Sequence, residues 1–389
     1  MMILCPRKSL LNAISYIAKF RDIRHEPTLV KVCADKDNGF TLTMLNVGDG
    51  IAYRVTLPDA TIDPAEESAE RITTRWVRLD SLLKLPFHDE RVSWFIDNNT
   101  AVQLKCGDRH VVISEVTTEL AIDFPDTADQ FMLDAISGKT LGSMLRFVLP
   151  SFEKGEIHPI LGAVLYRFTA NGISAQIEAI TANGFTAHIA SQNRPGHANG
   201  TPTNVHLSGG ILAKLLPLIN TAGYVFIHRA RAKADDQPNA IYLKIGNHEI
   251  MFGETMGKFP NVAELNKPGH LFGVVSKERL ATIAADLLAW KSYNNRVDFT
   301  GGYMTAAADR GRLMIKTDIR FKHDETDKFT IPPVVNFNVA YLNTAVSKMP
   351  IPKGGDITIR VSVPDQPLVL QSFYDNVQYN AIIMPMSTR

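Results

Sequence analysis

The sequence is poor in the features that announce covalent or redox chemistry. Its 389 residues hold only 3 cysteines, Cys5, Cys33 and Cys106. They lie far apart with no paired spacing, so neither a disulfide framework nor a cysteine-based zinc site is indicated. No apolar run reaches the roughly 18 residues of a membrane span, and the best candidate, residues 211–227, is interrupted by Lys214, Pro217 and Asn220. Net charge is missing as well: 41 basic residues face 40 acidic ones, so attraction to a polyanion must come from a local patch. The first apolar residues precede Pro6, Arg7 and Lys8, the reverse of a secretory leader. Nucleophile elbow, dinucleotide fingerprint and kinase lysine motif are all absent, which favours a binding or structural protein over an enzyme. What is present is 45% apolar and 21% charged residues, the balance of a globular protein. The length suits two or three domains, and the chain is expected to be soluble and cytoplasmic.

The informative presence is a repeat. Residues 101–115 lie over residues 240–254 without a gap, matching Ala101 to Ala240, Leu104 to Leu243, Lys105 to Lys244, Gly107 to Gly246 and Glu115 to Glu254. Each segment is two alternating apolar runs around a Gly-Asp or Gly-Asn turn, which predicts a β-hairpin. Phe124-Pro125 and Phe259-Pro260 follow the two hairpins, and a third apolar run, Ala381 to Met386, closes the chain. Apolar residues at helical spacing recur at 9–20, 139–149 and 277–290, and a second set at 79–85, 210–219 and 339–347. Strands are expected after that second set, at 92–96, 224–228 and 356–363. Each third therefore reads as strand, helix, strands, helix, strand, hairpin, an α+β order. Breaks are expected near 126–130 and 261–269, and solvated loops at 63–71 and 230–239.

Two motifs carry a chemical suggestion. Gly246-Asn247-His248-Glu249 resembles a metal-ligand signature of calcineurin-like phosphoesterases, and Gly107-Asp108-Arg109-His110 echoes it. Both occupy the same turn of the repeated hairpin, however, where Gly, Asp and Asn serve a positive φ. No metal site is therefore expected. Ser137-Gly138-Lys139-Thr140 resembles the tail of a phosphate-binding loop, but Leu133 stands where its leading glycine belongs. A serine ahead of a helix reads as a cap.

Basic residues are the more informative set. The first helix of each third, with its flanks, carries Lys8, Lys19, Arg21 and Arg24, then Lys139, Arg146 and Lys154, then Lys277, Arg279 and Lys291. The second helices add Arg78, Lys84, Lys214 and Lys348. A polar helix face needs such residues anyway. If the helices share one surface, that surface is positive while the whole molecule is neutral.

With these segments in view, the sequence resembles the bacterial-type sliding clamps, the β subunits of DNA polymerase III, over essentially its whole length. The resemblance is carried by Ile383-Met384-Pro385-Met386, Phe337-Asn338-Val339-Ala340-Tyr341, Phe259-Pro260, Asp123-Phe124-Pro125, Pro27-Thr28-Leu29 and Pro159-Ile160-Leu161-Gly162. It implies three clamp domains, 1–127, 128–262 and 268–389, with helices inside and antiparallel sheets outside. Two chains would pair head-to-tail as a ring around duplex DNA, a non-catalytic processivity factor without a cofactor. Sequence-independent DNA contact is expected from Arg21, Arg24, Lys84, Lys139, Arg146, Lys154, Lys214 and Lys277. The dimer contact implied by the resemblance sets Val112 and Ile113 against Leu287 and Leu288. A pocket of Ile160, Gly184, Ala187, Pro260, Leu265, Ile383, Met384, Pro385 and Met386 would take short hydrophobic peptides from polymerase, clamp loader and repair proteins. A chain end made of Ile, Met and Pro fits such a role, since ends usually fray in solvent and thioethers adapt to varied partners. The family's usual Asp-Gly-His-Arg-Leu is here Asn183-Gly184-Phe185-Thr186-Ala187, without the His-Arg pair. After Phe259-Pro260 the usual aromatic and arginines become Val262-Ala263-Glu264-Leu265. The alternative within the same resemblance is a clamp paralogue serving repair rather than replication.

Overall fold

The structure is a computed structural model. It describes the chain except residues 1, 22–27, 36–38, 47–48, 63–71, 86–88, 97–100, 117, 119–123, 125–129, 154–157, 199–202, 231–238, 267–270, 301, 310, 318, 324–334, 362–365 and 387–389; at 130–131, 170–173, 196–198, 271–272, 293 and 320–323 it describes the backbone alone. Arg24, Lys154, residues 126–129 and 267–269 of the expected breaks, and residues 63–71 and 231–238 of the expected loops lie outside the described residues.

The element order repeats as the sequence predicts. The first third runs β1 (Met2–Pro6), α1 (Arg7–Ala18), β2 (Leu29–Asp35), β3 (Gly39–Asn46), β4 (Ile51–Leu57), β5 (Thr61–Ile62), β6 (Ile72–Arg78), α2 (Leu79–Leu83), β7 (Arg91–Ile96), β8 (Ala101–Cys106) and β9 (Arg109–Ser114). The second runs β10 (Gln130–Ser137), α3 (Gly138–Val148), β11 (Ala163–Ala182), β12 (Thr186–Ala198), β13 (Thr203–Ser208), α4 (Gly209–Thr221), β14 (Tyr224–Ala230), β15 (Ala240–Ile245) and β16 (His248–Gly253). The third runs β17 (Leu271–Ser276), α5 (Lys277–Ala289), β18 (Arg296–Thr300), β19 (Tyr303–Ala308), β20 (Gly311–Lys316), β21 (Arg320–His323), β22 (Val335–Asn338), α6 (Val339–Lys348), β23 (Asp356–Val361), β24 (Leu368–Tyr374) and β25 (Val377–Ile383).

Local chemistry explains these boundaries. Leu10, Ala13, Ile14 and Ile17 bury one stripe of α1 at the spacing a half-buried helix needs. Ser276 caps α5 by accepting the Arg279 N–H, and Asn338 caps α6 by accepting the Ala340 N–H. Gly142 lets α3 approach α4, because a Cβ there would lie 2.1 Å from Asn220 Oδ1. That same amide oxygen accepts from Arg146 at 3.0 Å.

Packing groups the chain into two compact units. One comprises 1–137 and 222–254, the other 138–221 and 255–389. The first holds a sheet ordered β5-β1-β7-β8-β9 and another ordered β10-β14-β15-β16-β4-β3-β2-β6. The second holds β13-β11-β12-β25-β24-β23-β17-β21 and β20-β19-β18-β22. All registered pairs are antiparallel, as in β8·β9 and β24·β25.

Each eight-stranded sheet thus spans two repeats. The closing strand of the second repeat, β16, pairs with β4 of the first, from His248 opposite Val55 to Met251 opposite Ala52. The closing strand of the third, β25, pairs with β12 of the second, from Val377 opposite Gln192 to Ile383 opposite Thr186. The counterparts left over are β9, the closing strand of the first repeat, and β20 in the third; each is a sheet edge.

Candidate partner groove and cationic helices

The second unit gathers most of the expected pocket residues around one apolar cluster. Leu165, Ile180, Ala182, Ala187, Ile189, Phe259, Val262, Val369 and Ile382 are buried together, with Ile160, Leu161 and Leu265 packed on them half-exposed. Pro260 is exposed at the rim. A short 3-10 turn over Val262–Glu264 follows it, tied by the Val262 N–H to the Pro260 carbonyl at 2.9 Å.

The turn between β11 and β12 follows Ala182 and precedes Ala187, both in the cluster. Gly184 adopts φ +84° there, in the left-handed region, with nothing within 4 Å of where a Cβ would stand. Asn183 Oδ1 holds the turn by accepting the N–H of Phe185 (3.0 Å), the N–H of Thr186 (2.8 Å) and the Thr186 hydroxyl (3.2 Å). The chain end runs beside it: the Met384 N–H donates to the Phe185 carbonyl, and the Met386 N–H to the Asn336 carbonyl, both at 2.9 Å. Met384, Pro385 and Met386 are half-exposed, whereas Ile383 is 0% exposed and faces the core. Strand alternation explains this, and it is Ile382 that belongs to the cluster. Ala187 is likewise buried beneath the surface. Phe185 is 60% exposed, its ring stacked on Tyr341 of α6 at 6.0 Å and 14°.

The expected cations differ in what they do. Arg21, Lys84 and Lys214 are exposed. Arg146 is exposed at its head while donating to the Gly142 carbonyl and Asn220. Lys139 is paired with Asp375 at 2.9 Å, and that partner raises its pKa. The Lys277 ammonium donates to the carbonyls of Met349 (2.7 Å) and Ile351 (3.4 Å), just past the end of α6. Carbonyls at a helix end attract a cation in this way, so Lys277 holds the fold.

Of the four expected dimer-contact residues, Val112 is 57% exposed and Leu288 half-exposed, while Ile113 and Leu287 are buried in their own units. Beside β9 lies a cavity of about 500 Å³, lined by Arg78, Ser81, Lys84, Leu85 and residues 111–116.

No protein-family model and no curated protein matches the sequence. Solved structures do match, over the full length. The beta subunit of the Streptococcus pyogenes DNA polymerase aligns with TM-score 0.78 at 14% identity, covering 100% of both chains. The DNA polymerase sliding clamp of Bacillus subtilis aligns with TM-score 0.75 at 15% identity, and the DNA polymerase III beta subunit of Thermotoga maritima with 0.74 at 15%, each covering 100% of both chains. The fold is that of a DNA sliding clamp.

The sliding-clamp fold gives the Gly246–Glu249 segment another meaning than metal binding. Gly246 supplies the turn's positive φ, +59°, and the next three side chains fasten β16 to its neighbours. Asn247 donates to the Thr56 carbonyl at 2.6 Å. Nδ1 of His248 lies 2.6 Å from the Tyr53 hydroxyl, and burial pulls the His248 pKa down to about 4. Glu249 binds Arg54 and accepts the Tyr242 hydroxyl. Burial alone would raise the Glu249 pKa, but these donors outweigh it and hold the carboxyl below its usual value. Among the described residues no group of three metal-ligating side chains occurs, and no helix is long and apolar enough to cross a membrane. Sequence reasoning missed Ile382 in the cluster and the Phe185–Tyr341 stack beside the chain end. An exposed aromatic directly after a turn glycine was the available signal for Phe185.

Proposed function

We propose that the chain is a processivity clamp, a non-catalytic ring that encircles duplex DNA and tethers a DNA polymerase. The observation that carries this reading is the strand-joining rule. Twice within the chain a closing strand pairs with a middle strand of the preceding repeat, and the leftover counterparts, β9 and β20, are edges. Applied between two copies, the same rule pairs β9 of one with β20 of the other. Twofold symmetry then closes six repeats and removes both edges. Val112 and Leu288 would supply accessible contact, with Ile113 and Leu287 as the core beneath them. Arg279 of α5 donates to the Lys316 carbonyl at 2.8 Å, which puts α5 beside β20 where such a contact needs it. The three domains 1–127, 128–262 and 268–389 are the repeats in this reading; the two packing units follow the shared sheets instead.

The inner surface would be the helices, with Arg21, Arg24, Lys84, Lys139, Arg146, Lys154 and Lys214 meeting phosphate. Each contact adds roughly one unit to the salt slope of binding. The groove around Ile160, Pro260, Leu265 and Met384–Met386 would take hydrophobic peptides of polymerase, loader and repair proteins. The test is topological. Sedimentation should give twice the chain mass at micromolar concentration, and protein loaded on nicked circular DNA should fall off once the circle is cut. A monomer at every loading, or equal retention on linear and circular DNA, overturns the proposal.

A further inference from the structure

Lys139 meets a carboxylate that comes from another repeat. It stands in the first turn of α3, within Ser137-Gly138-Lys139-Thr140, and its ammonium lies 2.9 Å from Asp375 Oδ2. Asp375 and Asn376 form the two-residue turn between β24 and β25, with Tyr374 paired to Val377 across it. Both turn residues have left-handed backbone, at φ 51° and 61°, the pair of positive values that a tight type I′ hairpin requires. The carboxylate is therefore presented by a fixed tip rather than by a long loop. Asp375 is also the only charged residue from Phe373 to Gln378. Both partners stay open to solvent, the lysine side chain at 80% and the aspartate at 49%, so a second anion can reach the ammonium. Arg146 lies two turns further along the same face of α3. It differs in bonding only neutral acceptors, the Gly142 carbonyl and Asn220 Oδ1.

From this we infer that Asp375 takes the place of a DNA phosphate on Lys139 and so loosens the grip of α3 on the duplex. The inference rests on the reading of α3 as a DNA-facing helix and adds an internal competitor to it. An exposed ion pair contributes little stability, so a polyanion can displace the carboxylate. The exchange gains little, however. When Lys139 meets phosphate it releases a counterion from the DNA, while the freed Asp375, left beside the duplex, attracts a cation back. The same carboxylate repels the phosphate that has replaced it. Lys139 then adds neither the affinity nor the salt dependence of a cation without an acidic partner, whereas Arg146 adds both. A clamp that must slide benefits from a weaker hold, and Asp375 supplies it without removing the lysine.

The probe is a fluorescein-labelled DNA duplex, titrated with the full chain by anisotropy at a series of salt concentrations. Asp375→Asn keeps the turn, because asparagine also tolerates left-handed backbone. It should bind about fivefold tighter than the wild type at low salt, with a salt slope steeper by about one. Lys139→Gln alone should change the wild-type slope by under about 0.3, whereas Arg146→Gln should flatten it by about one. Lys139→Gln placed in Asp375→Asn should cancel the gain, which a merely structural role for Asp375 would not produce. A gain that survives Lys139→Gln overturns the inference and leaves the DNA-facing reading standing, because the carboxylate then repels the duplex without acting through Lys139. Equal slopes in the wild type and Asp375→Asn, with Arg146→Gln flattened as expected, overturn it in the same way. Failure of both the wild type and Asp375→Asn to bind the duplex at low salt overturns the DNA-facing reading and this inference together.

Discussion

The two strand joins obey one pairing rule and are held by different forces. The β4–β16 join is a ladder of four residue pairs, reinforced by side chains that cross it: Asn247 to the Thr56 carbonyl, Tyr53 with His248, and Arg54 with Glu249. Phe124 lies over the Arg54 guanidinium at 4.3 Å. The β12–β25 join is a ladder of seven pairs and relies on packing under α3. Phe147 stacks on His188 at 4.7 Å, and Ser143 bonds the Tyr379 hydroxyl at 2.8 Å. A short ladder leaves fewer backbone bonds to specify register, and cross-strand pairs of opposite charge supply what is missing. A long ladder needs no such fastening. Both joins nevertheless bury one neutral histidine.

That shared histidine gives the largest expected effect. Burial lowers His188 and His248 each from 6.5 to about 4, with the Phe147 carbonyl partly offsetting burial at His188. Above pH 6.5 both imidazoles are neutral in the folded and unfolded chain, and neither costs stability. As pH falls from 6.5 towards 4, the unfolded chain takes up protons that the folded chain refuses, so stability is lost. By pH 5 the loss is about 2 kcal/mol per histidine. Urea midpoints at pH 7.5 and pH 5 measure it, and His188→Gln or His248→Gln should each remove about half of the drop. If only one variant does so, the two joins differ in their histidine as well.

The next effect separates the joins. Glu249→Ala strands a half-buried guanidinium and the Tyr242 hydroxyl, a loss of about 2 kcal/mol after allowing for the exposure of Arg54. Its counterpart, the second residue after the turn on β25, is Gln378, paired across the join with Ser191. Gln378→Ala should cost under about 0.5 kcal/mol. Equal losses in chemical denaturation would contradict the distinction between a charged and a packed join.

These joins also show what the sequence exposed and what it hid. The repeated hairpin at 101–115 and 240–254 was legible because both its turn and its alternation are local, and β8–β9 and β15–β16 stand where it put them. Six helices were legible from period alone, since each buries a single stripe. The joins were hidden because they pair residues such as Arg54 and Glu249, nearly two hundred positions apart, whose complementarity has no local sign. For the same reason Asn247, His248 and Glu249 resembled ligands, and Lys277 resembled a surface cation. The chain-end run was legible as apolar, but which of Ile382 and Ile383 faces the cluster depends on strand register. The Phe185–Tyr341 stack needed two segments to meet, so neither residue announced it.

The smallest effect tests whether α3 truly belongs to the second join. Tyr379→Phe removes the hydroxyl that meets Ser143 and keeps the ring, which packs edge-on against Phe147 at 5.2 Å and 77°. The equivalent position on β16 is Ile250, which has no hydroxyl, so this bond is peculiar to the β12–β25 join. Because Ser143 is only partly buried, water can replace the lost partner, and the cost should be about 1 kcal/mol. Ser143→Ala removes the same bond from the other side. The double variant should therefore cost much less than the sum of the two single variants, with a coupling of about 0.5 kcal/mol or more. Strict additivity would mean that the bond contributes nothing and that ring packing alone fastens α3 to the join. A loss above about 3 kcal/mol for Tyr379→Phe, outside the range of one neutral hydrogen bond, would reverse the comparison and make the longer ladder the one that depends on its side chains.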